Sequence, residues 1–297
     1  MQDYLKCELC PRRCGVDRTV KRGFCGQSDK VRIARAGLHM WEEPCISGER
    51  GSGTVFFSGC TLRCVFCQNY EISQLGKGYN VSESELADIF LRLRDEGAEN
   101  INLVSPTSFL PSVKRALDSV KHRLGIPVVL NCGGYEQVES VDMLDGYVDI
   151  WLPDLKYFSA ECSKKYSGAE DYFEVAIKAL KRMVEQVGKP QFDNRGMMTR
   201  GVLVRHLLLP TLRRDSQKVI EALGENFASD EILVSIMRQY TPVYRAGEYP
   251  EINRRVSTFE YEFVLKEVGK YGFDGFSQDG GAVGEGFIPP FEGDAPK

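Results

Sequence analysis

From Thr54 onward, two periodicities of hydrophobic and polar residues alternate along the chain. Short apolar runs are typical of buried strands, whereas apolar residues three and four positions apart are typical of amphipathic helices. Their alternation predicts repeated βα units around a parallel sheet. A further strand is predicted ahead of the repeats, at residues 31–39. The six strands of the repeats are predicted at residues 54–57, 101–104, 127–130, 148–152, 202–208 and 232–237.

Two of the predicted helices begin at recognisable caps. Ser82 and Ser257 each precede a glutamate by three residues, which is the spacing of a capping box. Apolar residues then recur at helical spacing on one face of each predicted helix. The four faces are Leu86, Ile89, Phe90 and Leu93; Val113, Leu117, Val120 and Leu124; Ala176, Leu180, Met183 and Val187; and Tyr261, Val264, Leu265 and Val268.

Composition divides the chain into three parts. A Cys-rich segment is predicted at residues 1–50, the βα region at 51–272, and a tail rich in Gly, Pro and acidic residues at 273–297. We expect the tail from Asp279 to be poorly ordered or draped over the surface, because it has little apolar surface to bury. The 297 residues, 42% of them hydrophobic, are enough for a full core.

Charge and hydropathy argue against extended nucleic-acid binding and against a membrane-spanning segment, although a local basic groove is still compatible with the charge. The formal net charge is −4, which argues against extended binding to a nucleic-acid backbone. The first residues are polar and every later apolar run is short, so we expect neither a secretory leader nor a membrane-spanning helix. We interpret the chain as a soluble cytoplasmic protein without membrane or nucleic-acid partners.

A group of three cysteines follows the first predicted strand of the repeats. Cys60, Cys64 and Cys67 have the spacing Cys-x3-Cys-x2-Cys, in which the thiols can converge on one iron–sulfur cluster. A fourth iron would then have no protein ligand and could bind a reacting molecule, whereas structural sites usually have four protein ligands. A zinc site completed by Cys45 or His39 is an alternative. A disulfide is a less favoured one, because clustered cytosolic thiols usually bind metals.

A second group of cysteines lies near the start of the chain. Cys7, Cys10, Cys14 and Cys25 occur in a stretch with few apolar residues, so a bound metal would supply most of its order. Zinc is our first expectation, and an auxiliary iron–sulfur cluster is the alternative. Free or redox-active thiols are a third interpretation.

Polar residues follow the predicted strands at their carboxyl ends, where the reacting groups of barrel-like α/β proteins lie. Residues 105–108 follow the second strand of the repeats, Asn131 ends the third, and Asp154 and Lys156 follow the fourth. Arg205 lies within the fifth, and an arginine in an apolar run needs a partner. That partner is a cofactor or, in a purely structural interpretation, Asp154 or another strand-end acid. We expect the next residue, His206, to face the opposite side.

The cysteine loop, with Phe66 before its last thiol and a strand before its first, resembles the signature of the radical S-adenosylmethionine enzymes. Flanking stretches over nearly the whole chain are similar to one branch, the PflX-type homologues of pyruvate formate-lyase activating enzyme. This resemblance implies a partial (β/α)6 TIM-like barrel with a short Cys-rich N-terminal metal-binding segment. The similar stretches are residues 7–14, 41–48, 57–60 and 67–73.

The resemblance also implies roles for individual residues. Cys60, Cys64 and Cys67 would bind a [4Fe–4S] cluster whose open iron chelates the amino and carboxylate groups of S-adenosylmethionine. Asp154 and Lys156 would serve S-adenosylmethionine and a nearby cation.

Two positions depart from the pattern of the activating enzymes. Thr107 takes the place of a carboxylate that binds the methionyl amino group, and Asn131 replaces an aspartate. We still include Thr107 and Asn131 among the residues expected to bind the cofactor, together with Arg205, which would neighbour it.

The activity implied is that of an anaerobic oxidoreductase. An electron from a flavodoxin or ferredoxin would cleave S-adenosylmethionine, and the 5′-deoxyadenosyl radical formed would take hydrogen from a substrate. That substrate is a glycine of a partner protein if the likeness extends so far, and otherwise a small molecule or peptide. The alternatives are a non-catalytic iron–sulfur electron-transfer or structural-metal protein and a nucleic-acid-modifying radical enzyme, which would ordinarily have a basic surface.

Overall fold

The computed structural model describes residues 4–277, and its core is one mixed sheet. The strands in that range are β1 (Val31–His39), β2 (Ser52–Phe57), β3 (Tyr79–Val81), β4 (Ile101–Val104), β5 (Val128–Cys132), β6 (Ile150–Pro153), β7 (Gln191–Phe192), β8 (Met198–Leu207), β9 (Leu233–Met237) and β10 (Gly275–Ser277). The α-helices there are α1 (Pro44–Ser47), α2 (Tyr70–Ser73), α3 (Glu83–Asp95), α4 (Leu110–Leu124), α5 (Val138–Asp142), α6 (Ala160–Ser167), α7 (Tyr172–Val187), α8 (Arg213–Asn226) and α9 (Thr258–Tyr271).

The strands form an open partial barrel. β2, β4, β5, β6, β8, β9 and β10 run parallel and neighbour one another in chain order. At the other side, β1 pairs antiparallel with both β2 and β3. The six strands predicted for the repeats form the parallel part together with β10, so the predicted fold class is confirmed.

Alternation along each parallel strand separates an inner face from an outer one. Leu203 faces inward and packs with Val129 and Ile150, whereas the next residue, Val204, belongs to the core between the sheet and the helices. Ile46 of α1 joins the inner cluster. The lower part of the barrel is therefore filled with apolar side chains, and the strand ends remain for polar ones.

The predicted helices occur where their apolar faces indicate. The residues of the first three predicted faces are all buried in the core, and so are Tyr261 and Val264 of the fourth. Ser82 and Ser257 form the predicted capping boxes of α3 and α9. The short helix α6 was not predicted, because its sequence is polar and shows no apolar stripe.

The predicted tail begins as a strand. β10 extends the sheet at β9, where the Val234 amide donates to the Asp274 carbonyl (3.0 Å). A side chain at Gly275 would collide with the Val234 carbonyl oxygen, so this close approach requires glycine. Gly275–Ser277 is therefore part of the sheet, ahead of Asp279, where the poorly ordered tail is expected to begin. Residues 278–297 lie outside the described residues.

The chain before β1 is organised differently. Residues 4–30 contain turns and bends but no helix or strand. Within residues 4–277, none of the helices combines the length and apolar character needed to cross a bilayer.

Candidate active site

An open cavity of about 250 Å³ lies at the carboxyl ends of the parallel strands. The cysteine loop lines one side of it, and charged or amide side chains from β5, β6 and β8 line another. Most residues predicted for the site are thereby brought together, although they are dispersed along the chain. Those that line the cavity are Cys60, Cys64, Cys67, Asn131, Asp154, Lys156 and Arg205.

The cysteine loop is held by backbone contacts with α6. The Arg63 amide donates to the Ser167 carbonyl (3.0 Å), and the Val65 amide donates to the Tyr166 carbonyl (2.9 Å). Phe66 packs edge-on against Tyr240, with 5.7 Å between ring centroids. The cysteine loop is therefore held in place by α6 and Tyr240 where it lines the cavity.

Two of the three thiols lie beside hydroxyl groups. Cys64 Sγ lies 2.9 Å from Ser167 Oγ, and Cys67 Sγ lies 3.2 Å from Ser73 Oγ. Burial raises the pKa of all three thiols, that of Cys67 to about 11, and repulsion between them adds to the effect for Cys60 and Cys67. Metal binding therefore has to displace their protons.

The arrangement of these thiols fits a cluster. In residues 4–277, no three or more His, Cys, Asp or Glu side chains are arranged to ligate a single metal ion. Cys60, Cys64 and Cys67 instead face one shared cavity, as ligands of a larger [4Fe–4S] cluster must. Three protein ligands for four irons would leave one iron without a protein ligand.

Arg205 is the centre of a charge network opposite the loop. Its Nε donates to Asp154 Oδ1 (3.2 Å), its Nη1 to Glu42 Oε2 (3.0 Å) and its Nη2 to Asn131 Oδ1 (2.5 Å). The Arg205 side chain is only 13% exposed, so these partners compensate the cost of its burial. The structural interpretation of Arg205 as a partner of Asp154 is therefore correct, and Arg205 also lines the cavity.

Lys156 extends the network toward the cysteine loop through an ion pair with Asp154. Burial opposes the charge of each, but Lys156 and Arg205 together lower the pKa of Asp154, and Asp154 raises the pKa of Lys156. Both residues are therefore charged at neutral pH. Gly134 packs closely against the backbone of Asp154. Its φ is +78°, and a Cβ at this position would lie 2.0 Å from the Asp154 carbonyl oxygen.

Thr107 lies outside this cavity. After β4 the chain turns at Ser105, in the left-handed region (φ 56°), into a short 3-10 helix. The Thr107 hydroxyl consequently donates to the buried carboxyl of Glu136 (3.0 Å), whose pKa is raised to about 8 by burial. Ser105 lines the main cavity instead, which corrects the expectation for Thr107.

Glu42 is a site residue that sequence reasoning missed. It lies between β1 and α1, its side chain is 8% exposed, and it accepts hydrogen bonds from Asn102 (3.1 Å) and Asn131 (3.3 Å) as well as from Arg205. Its position after a predicted strand was the available signal. That strand precedes the repeats, so the alternation of βα units did not draw attention to it.

His206 faces away from the cavity, as predicted. It is buried, and its Nδ1 lies 2.6 Å from the Leu155 carbonyl oxygen. Burial lowers the pKa of His206 to about 4, so the ring is neutral at physiological pH. The four N-terminal cysteines also lie outside the cavity, in the segment that packs beside the cysteine loop.

The chain has relatives among known proteins. Residues 54–204 match the family model described as Radical SAM superfamily. An uncharacterized protein from Methanocaldococcus jannaschii is 33% identical over 281 residues, which cover 91% of this chain and 76% of that protein. A pyruvate formate-lyase-activating enzyme from Clostridium pasteurianum is 26% identical over 180 residues, covering 57% of this chain and 66% of the enzyme.

The fold is similar to that of solved structures. Streptococcus suis SuiB bound to S-adenosylmethionine superposes with a TM-score of 0.51 at 12% identity. The match covers 74% of this chain and 48% of SuiB, so this chain spans about half of that protein. At this identity the likeness concerns the fold alone.

Proposed function

The chain belongs to the Radical SAM superfamily, and from this premise we propose that it is a PflX-type enzyme that uses S-adenosylmethionine to take a hydrogen atom from a substrate. One observation carries the proposal: the three thiols of the cysteine loop and the charge network around Arg205 open on the same cavity. A protein that only stored or transferred electrons would have no need for the second of these features.

The cysteine loop provides for the cofactor that the family uses. Cys60, Cys64 and Cys67 would hold the [4Fe–4S] cluster, and Phe66 and Leu62 in the cavity wall would keep water from it. When bound, the cluster supplies the electron that cleaves S-adenosylmethionine into methionine and the 5′-deoxyadenosyl radical, which takes hydrogen from the substrate.

The charge network offers complementary groups for S-adenosylmethionine. The Lys156 ammonium suits the methionyl carboxylate, and the carboxylates of Asp154 and Glu42 suit the methionyl ammonium or the ribose hydroxyls. Ser105, rather than Thr107, has a hydroxyl at the cavity. Because these side chains already hydrogen-bond one another, they are oriented before the ligand arrives, which reduces the entropy cost of binding.

For the hydrogen donor, we propose a backbone glycine of a partner protein. Support comes from the 26% identity to the Clostridium pasteurianum activating enzyme and from the motifs shared with that branch. The electron donor is a flavodoxin or ferredoxin, and the setting is an anaerobic cytoplasm. The second candidate substrate is a small molecule or peptide, which an open cavity also admits.

The radical chemistry is tested by anaerobic reconstitution with iron and sulfide, followed by dithionite and S-adenosylmethionine. We expect 5′-deoxyadenosine from the unmodified chain and none from Cys64→Ala. A fully iron-loaded chain that forms no 5′-deoxyadenosine, even with added cell extract, would contradict the proposal and favour the electron-transfer alternative.

The hydrogen donor is tested with extract from cells grown on glycine deuterated at Cα. The extract is separated by size, and each fraction is added to the reconstituted enzyme. Deuterium in 5′-deoxyadenosine from the macromolecular fraction alone is the expected result. Deuterium from the small-molecule fraction alone would overturn the protein-glycine assignment while leaving the radical chemistry intact.

A further inference from the structure

The four N-terminal cysteines are neighbours in space. The Sγ atoms of Cys14 and Cys25 both lie 3.5 Å from the point where a Cβ at Gly23 would stand. Cys14 Sγ also lies 3.9 Å from the Cys7 carbonyl oxygen. The pKa of the Cys10 thiol is raised to about 12, chiefly by burial, with smaller contributions from Glu136, Cys25 and Cys7. The four cysteines are therefore neighbours in the folded segment.

Two tight turns bring these thiols together. The Arg13 amide donates to the Cys10 carbonyl (2.9 Å), and Arg13 itself adopts a left-handed φ of 38°. The Gly26 amide donates to the Gly23 carbonyl (2.9 Å) around Cys25. A non-glycine residue in the left-handed region is strained, and the surroundings have to offset that strain.

The segment has few apolar side chains to offset it, although the buried Arg18 donates to the Ser108 carbonyl (2.5 Å) of the barrel. Residues 4–30 contain no helix or strand, and their buried hydrophobic residues are Cys7, Leu9 and Cys10. Two of those three are themselves thiols. A metal bound by four thiolates would replace the missing core, as it does in other small segments of this composition.

The segment is docked on the cysteine loop. Arg12 Nε donates to the Thr61 carbonyl (2.9 Å) and its Nη1 to the Gly168 carbonyl (2.6 Å), which follows α6. The Phe24 ring lies against two guanidinium groups, 4.4 Å from Arg12 and 4.7 Å from Arg63 of the loop. Arg63 Nη2 also donates to the Phe24 carbonyl (2.5 Å).

Gly59, at the start of the cysteine loop, packs closely against the N-terminal segment. Gly59 has φ +84°, and a Cβ there would lie 2.8 Å from the Cys25 carbonyl oxygen and 2.5 Å from Gln27 Cγ. Gly59 directly precedes Cys60 of the cysteine loop, and Cys25 belongs to the N-terminal cysteine group. The backbones of the two candidate metal-binding groups are therefore in contact.

We propose that Cys7, Cys10, Cys14 and Cys25 form a second, four-thiolate metal centre that holds the cysteine loop in the conformation that receives its [4Fe–4S] cluster. The centre acts through the contacts of Arg12 and Phe24, so these are positioning residues. The inference rests on the cluster in the cysteine loop but not on the substrate or on turnover. Zinc was the first expectation from the sequence, but no three such side chains of residues 4–277 are arranged around a single metal ion, so an iron–sulfur cluster fits these four thiols better than zinc.

The metal is tested by its content in the reconstituted full chain. Beyond the four irons of the loop, we expect about four further irons per chain. One zinc in their place would contradict the assignment of an iron–sulfur cluster. The same extra metal should remain in Cys60→Ala/Cys64→Ala/Cys67→Ala and be lost from Cys14→Ser. Cys162→Ser, a change at a partly exposed cysteine on α6, is the control and should keep both metals. A wild-type chain with four irons and no zinc overturns the proposal.

The positioning role is tested by the rate at which a chelator removes iron from the loop, followed by the absorbance of the cluster. Arg12→Gln should keep the N-terminal metal but release the loop iron about five- to tenfold faster, as expected for the loss of one or two hydrogen bonds. Arg22→Gln is the matched control, because Arg22 donates to Gly26 within the segment. Equal release rates for Arg12→Gln and the wild type would overturn the positioning role.

Discussion

The charge network of the cavity and the N-terminal cysteine segment both assemble polar groups from distant positions, but they differ in what orders them. The network rests on the sheet: Arg205 pairs with Asp154 in an isolated parallel bridge, and Glu42 lies 163 residues from its partner Arg205. Residues 4–30 have turns in place of strands and thiols in place of a core.

The charge network and the N-terminal cysteine segment therefore differ in the source of their stability. The network satisfies its own charges, so it should persist in the metal-free protein and be ready for S-adenosylmethionine. Burial disfavours the charged form of the Cys7 and Cys10 thiols, so a metal has to displace their protons before they bind it. Each substitution changes one of the two regions, and the measurement shows whether the other region is affected.

The largest effect is expected from Cys64→Ala. Loss of one thiol from the cysteine loop should remove its cluster and reduce 5′-deoxyadenosine formation to the background of the enzyme-free reaction. The free energy of unfolding of the metal-free chain should change by only about 1 kcal/mol, because the network does not involve Cys64. Product analysis and denaturant titration measure the two effects. A loss of several kcal/mol in the metal-free chain would show that the two regions are not separate.

Arg205→Met should have the largest effect on stability. It leaves the carboxylates of Asp154 and Glu42 without their shared partner, which costs roughly 3–5 kcal/mol for a buried pair. Denaturant unfolding of the metal-free full chain measures this loss. Arg200→Met on the same strand is the control: its guanidinium binds backbone carbonyls at the surface, so we expect about 1 kcal/mol or less. Similar losses for both variants would contradict the special role of the network.

His206 provides a pH test of the outer face of the same strand. Its folded-state pKa of about 4 lies below the ordinary 6.5, because burial disfavours the charged ring. Stability from the neutral ring is therefore complete above pH 6.5 and is lost as the pH falls toward 4. Between pH 7.5 and 4, the metal-free wild type should lose about 2–3 kcal/mol more than His206→Asn. Parallel stability curves for the two proteins would refute the assignment of a neutral buried histidine.

The smallest effect is expected from Phe24→Leu in the N-terminal segment. Removing the ring loses two cation–π contacts, worth roughly 1–2 kcal/mol together. The loss should appear in the metal-loaded chain and nearly vanish in the metal-free chain, where the segment is not held in place. Thermal unfolding with and without metal measures the difference, and an equal loss in both states would show that the segment is ordered without metal.

Much of the framework could be predicted from the sequence because its signals are local. Ser82 and Ser257 cap helices within a few residues of themselves, and the alternation of apolar runs with helical stretches encodes the parallel sheet. The direction of Arg205 and His206 followed from the two-residue period of a strand. These features need no knowledge of distant neighbours.

The partners within the site could not be predicted in the same way. Glu42 reaches Arg205 because β1 adds to the sheet edge beyond β2, and the order of strands is not written in any single stretch. The Thr107 side chain lies outside the cavity because one residue in the left-handed region, Ser105, changes the direction of the chain after β4. A side chain's direction after a strand depends on such turns, and no glycine marked this one.

The most direct test of the central assignment is spectroscopic: electron–nuclear double resonance of the reduced, reconstituted chain with S-adenosylmethionine labelled by 17O in its carboxylate and 15N in its amino group. We expect hyperfine coupling of both labels to the loop cluster, and weaker binding of the labelled S-adenosylmethionine in Arg205→Met. A fully loaded cluster whose spectrum shows neither coupling nor any change on addition of S-adenosylmethionine would contradict the assignment.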